Sequence, residues 1–177
     1  MPNLIATTAR LRLVSSSPIL AEAELKQRDR FFELLQVDPP QQWPPDLNDD
    51  NTIKFFLEKL LEGEDQTGWW CWYFIKDREL IGNGGFKGKP SKSGTVEIGY
   101  SILEQHRGRG YATEAIQGLL NWAFQHREVR RIVAETSSEL MTSIRVLEKC
   151  GFIYIGEGTD AGAIRLGILR RDYQNKP

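Results

Sequence analysis

The sequence predicts a single-domain α/β (α+β) protein of alternating strands and helices, and three observations carry that prediction. Thr95 to Ile102 alternates, with Val96, Ile98, Tyr100 and Ile102 on one side and Glu97, Gly99 and Ser101 on the other, the period of two of a strand. Immediately downstream, Ala112, Ala115, Ile116, Leu119 and Ala123 recur at helical spacing. The 177 residues fit one domain with a substantial core, and neither an internal repeat nor a domain boundary divides them.

Taken in order, Leu11 to Val14 reads as the first strand. Ser17 is a helix cap with Pro18 at the first helical position, and the helix runs toward Leu35. Val37-Asp38-Pro39-Pro40 and Trp43-Pro44-Pro45 force a non-helical link. Asp49 or Asp50 restarts a helix that carries Ile53, Phe56, Leu57, Leu60 and Leu61 on one face. After a polar loop from Gly63 to Gly68, Trp69 to Ile75 and Glu79 to Phe86 form two strands around Lys76-Asp77-Arg78, most simply a hairpin. Gly88 to Gly94 links them to the alternating strand. Beyond the central helix come a strand at Arg131 to Thr136, a helix at Glu139 to Lys149 stopped by Gly151, and strands at Phe152 to Ile155 and Ala163 to Leu169. The expected order is β-α-α-β-β-β-α-β-α-β-β.

Between the alternating strand and the central helix lies Gln105-His106-Arg107-Gly108-Arg109-Gly110-Tyr111-Ala112. Glycine supplies both the sharp turn and room for a ligand to approach the backbone. The first amides of a helix lack intrahelical acceptors and sit at the positive end of its dipole, so the turn is suited to an anion such as a pyrophosphate. Arg107 and Arg109 add formal charge on either side of Gly108. A Walker loop requires Gly-Lys-Ser/Thr, and Tyr111 follows Gly110, so that reading fails. A dinucleotide fingerprint needs a small third residue where Thr113 stands and an acidic residue about twenty positions on, for which Glu135 is loosely placed. The alternative pattern Gln/Arg-x-x-Gly-x-Gly/Ala fits Gln105 to Gly110 at every fixed position.

Composition narrows the function. A net charge of −1 argues against a dedicated nucleic-acid binder. Cys71 and Cys150 lack metal-ligand spacing and read as reduced core thiols, and with only His106 and His126 available no metal site is expected. There is no charged-then-apolar leader in Met1 to Ser17 and no apolar run long enough to span a bilayer, so a cytoplasmic protein without membrane partners is expected.

The turn and its flanks resemble the GNAT family of N-acyltransferases, specifically its RimJ/RimL-type branch. Val96-Glu97-Ile98-Gly99-Tyr100, Gly110-Tyr111-Ala112-Thr113-Glu114-Ala115 and Ser143-Ile144-Arg145-Val146-Leu147-Glu148-Lys149-Cys150-Gly151-Phe152 carry the likeness, together with Arg10-Leu11-Arg12-Leu13. It covers about Arg10 to Phe152. The resemblance implies a mixed, mostly antiparallel sheet with helices on both faces, acetyl-CoA as co-substrate, and transfer of acetyl to a primary amine. It implies a cofactor site of Ile102, Gln105, Arg107, Gly108, Arg109, Gly110, Tyr111, Ala112 and Thr113. The acceptor is a protein N-terminus or a small amine, and a homodimer is the assembly common among such relatives.

Amide formation needs a neutral amine, a donor for the developing oxyanion and a way to release thiolate. Deprotonating a lysine amine near neutral pH costs about 4 kcal/mol, whereas an α-amine costs under about 1 kcal/mol. Glu97, facing away from the apolar set of its strand, is the candidate base, and a solvated or salt-bridged strand glutamate is the alternative. By the resemblance, Leu147 stands where many members carry a tyrosine acid and Leu140 where many carry a cofactor-contacting asparagine, while Ser143 on the same helical face is the candidate thiolate partner. A serine bonded back to the preceding helical turn is the bland alternative. The two leucines also keep alive a non-catalytic acyl-CoA-binding or sensing module. Trp43, between prolines in the link after the first helix, is either a wall of the acceptor channel or an apolar plug. Trp69, Trp70, Trp72 and Tyr73 read as packing.

Overall fold

The computed structural model describes residues 3–46 and 48–174. Along the chain the strands are β1 (Ile5–Thr7), β2 (Arg12–Ser15), β3 (Cys71–Lys76), β4 (Glu79–Phe86), β5 (Thr95–Ile102), β6 (Arg131–Ser137), β7 (Ile153–Glu157) and β8 (Ala163–Leu169). The helices are α1 (Pro18–Lys26), α2 (Arg28–Leu35), α3 (Asp50–Leu61), α4 (Tyr111–Ala123), α5 (Met141–Lys149) and α6 (Arg170–Gln174). The strands form one sheet in the order β1-β2-β3-β4-β5-β6-β8-β7. Every neighbouring pair is antiparallel except β5 and β6.

Helices cover both faces of this sheet because its central strands are apolar on both sides. Trp72 and Phe74 of β3 join a core with Ala115, Ile116, Leu119 and Ala123 of α4, and Leu147 of α5 belongs to the same cluster. Cys71, Tyr73 and Ile75, the alternate residues, pack with Leu20 of α1 and with Phe31, Phe32 and Leu35 of α2. Burying one such side chain contributes about 1.5–3 kcal/mol, so each helix is held mainly by its stripe. The predicted caps are in place. Ser17 accepts from the amide of Leu20 at 3.4 Å, and Asp49 accepts from that of Thr52 at 2.8 Å.

The sheet and its flanking helices agree with the expected fold class, and the element order is corrected in three places. β1 precedes the expected first strand, and α6 follows the last. The helix expected from Ser17 to Leu35 is two helices, broken at Gln27, whose backbone leaves the helical region at φ −148° and ψ 68°. Leu20, Glu24, Phe31 and Leu35 remain in helical phase across the break, so their spacing alone reads as one helix.

The feature that positions the functional site is a fork. β5 and β6 pair in parallel only at Thr95↔Arg131, Val96↔Ile132 and Glu97↔Val133. Beyond that point β5 stays with β4 through Ile102, and β6 stays with β8 through Ser137. The two central strands therefore part, and backbone along the diverging arms has no ladder partner on the facing side.

Candidate active site

The turn that ends β5 meets the N-terminus of α4 at the open end of this fork. Gly108 and Gly110 take φ values of 74° and 81°, left-handed conformations that disfavour other residues by roughly 1–2 kcal/mol. A Cβ on Gly108 would meet nothing within 4 Å, so the turn faces open space there. Gly110 is the residue that caps α4. The first amide of this helix end to be taken by a carbonyl is that of Glu114, which donates to Gly110 at 3.1 Å. None of the six amides from Gly108 to Thr113 donates to an acceptor among the described residues. Six unclaimed N–H groups at the positive end of a 13-residue helix form an anion cradle.

The arginines around the cradle take different positions. Arg107 is held at the surface, its Nε donating to the Ile102 carbonyl at 2.8 Å and its guanidinium pairing with Asp46 at 2.9 Å. Arg109 is exposed and enters none of the ion pairs among the described residues. Arg10, from the turn between β1 and β2, lies 4.7 Å over the ring of Tyr111 and donates to the Arg109 carbonyl at 3.1 Å. Tyr111 is buried, so its side chain faces the core and only its amide faces the cradle. Gln105 is exposed. Burial holds the His106 imidazole below its ordinary pKa, and its Nδ1 is enclosed without a hydrogen-bond partner.

On one face of the fork, Glu97 is bonded to Lys87 Nζ, and its side chain keeps 24% of its exposure. A Cβ at Gly99, on the same face two residues on, would touch nothing within 4 Å, which marks an opening beside the carboxylate. Asn83, register-paired with Ser101 and nearly fully buried, lies on this face too. On the other face the Tyr100 hydroxyl is 3.0 Å from Ser143 Oγ and 3.4 Å from the Ser143 carbonyl. Tyr100 belongs to the diverging half of β5, and Ser143 to the first turn of the helix that follows β6. Their contact therefore spans the fork.

The Acetyltransferase (GNAT) domain family matches residues 19–153, a span holding the cradle, both arms of the fork and α5. The chain belongs to the GNAT acetyltransferases. This acetyltransferase is 34% identical over 154 residues to the uncharacterized N-acetyltransferase YjdG of Bacillus subtilis, covering 85% of this chain and 90% of that one. It is 36% identical over 82 residues to the ribosomal-protein-serine acetyltransferase of Escherichia coli, 46% of each chain. Among solved structures, the ribosomal-protein-S5-alanine acetyltransferase of Vibrio fischeri superposes with a TM-score of 0.68 at 17% identity, covering 98% of this chain and 100% of that one. RimL, a ribosomal L7/L12 α-N-protein acetyltransferase in complex with coenzyme A, gives 0.68 at 16% identity over 94% and 98%. Likeness at these identities is one of fold, and it agrees with a RimJ/RimL-like branch.

The acetyltransferase brings together the turn residues and Ile102, with Ser143 across the fork, while Trp43 sits in the second core cluster with Leu103. Trp43 is 9% exposed and packs against Phe31 and Tyr73. Its indole donates to Glu24 Oε1 at 2.8 Å. Of the two expectations for Trp43, this packing favours the plug, because its indole N–H finds a buried carboxylate in the second core cluster. Glu135, the loose candidate for a ribose ligand, is occupied by Arg165 Nε at 2.8 Å and Thr159 at 3.0 Å. Leu147 is buried and Leu140 half exposed, both apolar as the sequence requires. Cys71 and Cys150 are buried and not joined in a disulfide. Among the described residues, no group of three or more His, Cys, Asp or Glu is arranged to hold a metal, and no helix is long and apolar enough to cross a membrane. Sequence reasoning missed Arg10, Asp46 and Tyr100. Only Arg10 left a signal, in the Arg10-Leu11-Arg12-Leu13 motif.

Proposed function

We propose that the protein is an acetyl-CoA-dependent N-acetyltransferase that transfers acetyl directly to a primary amine, either a protein N-terminal α-amine or a small-molecule amine. The observation that carries this reading is the run of unclaimed amides from Gly108 to Thr113 at the mouth of the β5/β6 fork. The diphosphate of the cofactor suits the cradle, with Arg109 adding charge. The acyl thioester supplies an activated carbonyl. Glu97, beside the opening at Gly99, accepts the amine proton through water, and Lys87 fixes its carboxylate. Ser143 stands across the fork at the leaving sulfur. Direct transfer is favoured because both thiols are buried and neither Cys71 nor Cys150 is presented as a nucleophile. The chemistry is cytoplasmic in this reading, and nothing in it requires a second subunit.

Isothermal titration with acetyl-CoA, beside a thiol-release assay over a panel of amines, tests the proposal. Saturable binding with thiol release on at least one amine class is expected. Tight binding with no release on any amine would overturn catalysis in favour of the sensing module. Glu97→Gln should slow acetylation of lysine-like amines, with pKa near about 10.4, more than that of α-amines near about 7.7. Equal losses on both would remove Glu97 from the role of base.

A further inference from the structure

The family tyrosine that the resemblance places on the helix is replaced here by Leu147, which is buried in the core. A phenol nevertheless arrives at the same serine from a different element. Tyr100, on β5, reaches 3.0 Å from Ser143 Oγ. We propose that Tyr100 is a positioning residue for the leaving group: its hydroxyl donates to Ser143 Oγ, leaving the serine's own proton free to bond the departing sulfur.

The proton inventory supports this direction. A phenol has one proton to donate, and Tyr100 has two acceptors in reach, Ser143 Oγ and the more distant Ser143 carbonyl. Among the described residues, Ser143 Oγ makes no bond back to a carbonyl of the preceding turn, the usual resting place of a helical serine. Its amide is satisfied by the Leu140 carbonyl at 3.0 Å. With Oγ accepting from Tyr100, the serine rotamer is fixed and its O–H is the donor that remains. Burial pushes the Tyr100 phenol above its ordinary pKa, which keeps it protonated as a donor. In the reaction the C–N bond forms as the C–S bond breaks. The electron pair of the C–S bond stays on sulfur, where the Ser143 hydroxyl bonds it without giving up its proton. The proton from the amine leaves by the Glu97 side.

The inference rests on the acetyltransferase reading with Ser143 at the sulfur, and the test separates the two. Ser143→Ala and Tyr100→Phe are compared singly and together by kcat, by KM for acetyl-CoA and by melting temperature. Tyr100→Phe should lower kcat about 10-fold, the effect of one net hydrogen bond lost from the transition state, while KM changes less than about 2-fold. The double variant should be no slower than Ser143→Ala alone, because Tyr100 acts only through the serine. The loss in Tyr100→Phe should shrink with an acetyl thioester of a more acidic thiol, which needs less help to leave. A purely structural Tyr100 would not produce that dependence. Ser143→Ala with wild-type kcat would overturn the placement of Ser143 at the sulfur. Slow Ser143→Ala with wild-type Tyr100→Phe, or losses that multiply in the double variant, would overturn the role of Tyr100 alone.

Discussion

The Glu114 carboxylate, in the first turn of α4, takes the backbone amide of Arg10 and its Nε, each at 2.6 Å. Thr8 donates to the same carboxylate at 2.6 Å, and burial notwithstanding, these bonds hold Glu114 below the usual carboxylate range. The N-terminus of α4 is thereby strapped to the β1–β2 turn, with Arg10 also on the Arg109 carbonyl. Arg10→Ala should weaken acetyl-CoA binding about 3- to 30-fold, the effect of losing one or two charge-assisted bonds, and lower the melting temperature. Arg10→Lys should recover only part of the loss, because an ammonium cannot span the same partners. Titration calorimetry on the two variants checks this, and equal affinity for Arg10→Ala and the wild type would contradict it.

Arg107 and Arg109 should behave differently despite their symmetry about Gly108. Arg107 is committed to Ile102 and Asp46, whereas Arg109, likewise exposed, enters no ion pair among the described residues. Arg109→Ala should weaken binding of CoA more than binding of a pantetheine thioester lacking the diphosphate. Arg107→Ala should affect both by similar factors, since it loosens the turn and the link before α3. Competition titrations with the two ligands give the comparison, and the reverse ranking would reject this division of roles.

Gly110→Ala should impair the cradle more than Gly108→Ala. Both positions have positive φ, but only at Gly110 would the new methyl come within 3.3 Å of the Arg10 guanidinium. The backbone strain of about 1–2 kcal/mol is common to both. The extra loss should therefore appear in affinity for acetyl-CoA and vanish when Arg10 is also replaced by Ala. Additive losses in that double variant would show that Arg10 is not the obstacle.

Glu24 makes stability depend on pH. Its carboxylate accepts from Trp43 and from the Tyr73 hydroxyl, at 2.6 Å in the latter case, with Arg28 and Asp50 nearby. Burial outweighs these bonds and raises its pKa from 4.5 to about 7. A carboxyl raised on folding stabilises the protein fully below its unfolded value, and the contribution is lost as pH rises through 7. That loss is about 3 kcal/mol. His106, lowered by burial, works in the opposite direction below pH 6.5, so the quantity to measure is the difference between the wild type and Glu24→Gln. Urea midpoints should favour the wild type at pH 5 and converge or cross by pH 8. A constant difference across that range would refute the assignment.

Much of the fold was legible because its elements carry strong local signals. The β5 alternation, the α4 stripe and the glycine turn each follow from residues in contact along the chain. The break at Gln27 was hidden because apolar spacing continues through it. Within the site, the cradle is made of backbone and announces itself through glycine. Tyr100 and Asp46 act through partners 43 and 61 residues away, and no local pattern encodes such pairs. Tyr100 was further masked by its place in an apolar row, where its ring packs while its hydroxyl reaches out. Trp43 stayed open between wall and plug because the partner that buries its indole, Glu24, lies 19 residues away on another element.

The fork and the cradle have a consequence for how the protein tolerates change. Their contacts are made by peptide groups, which every residue supplies, and only a few glycines are needed to shape them. A site written in main chain has little to lose when neighbouring side chains drift. Solved structures at 16% and 17% identity share the overall fold with TM-scores of 0.68. Substitutions around such a centre are buffered on the donor side and free to accumulate on the acceptor side, where one scaffold can acquire new amines without rebuilding its handling of the acyl group.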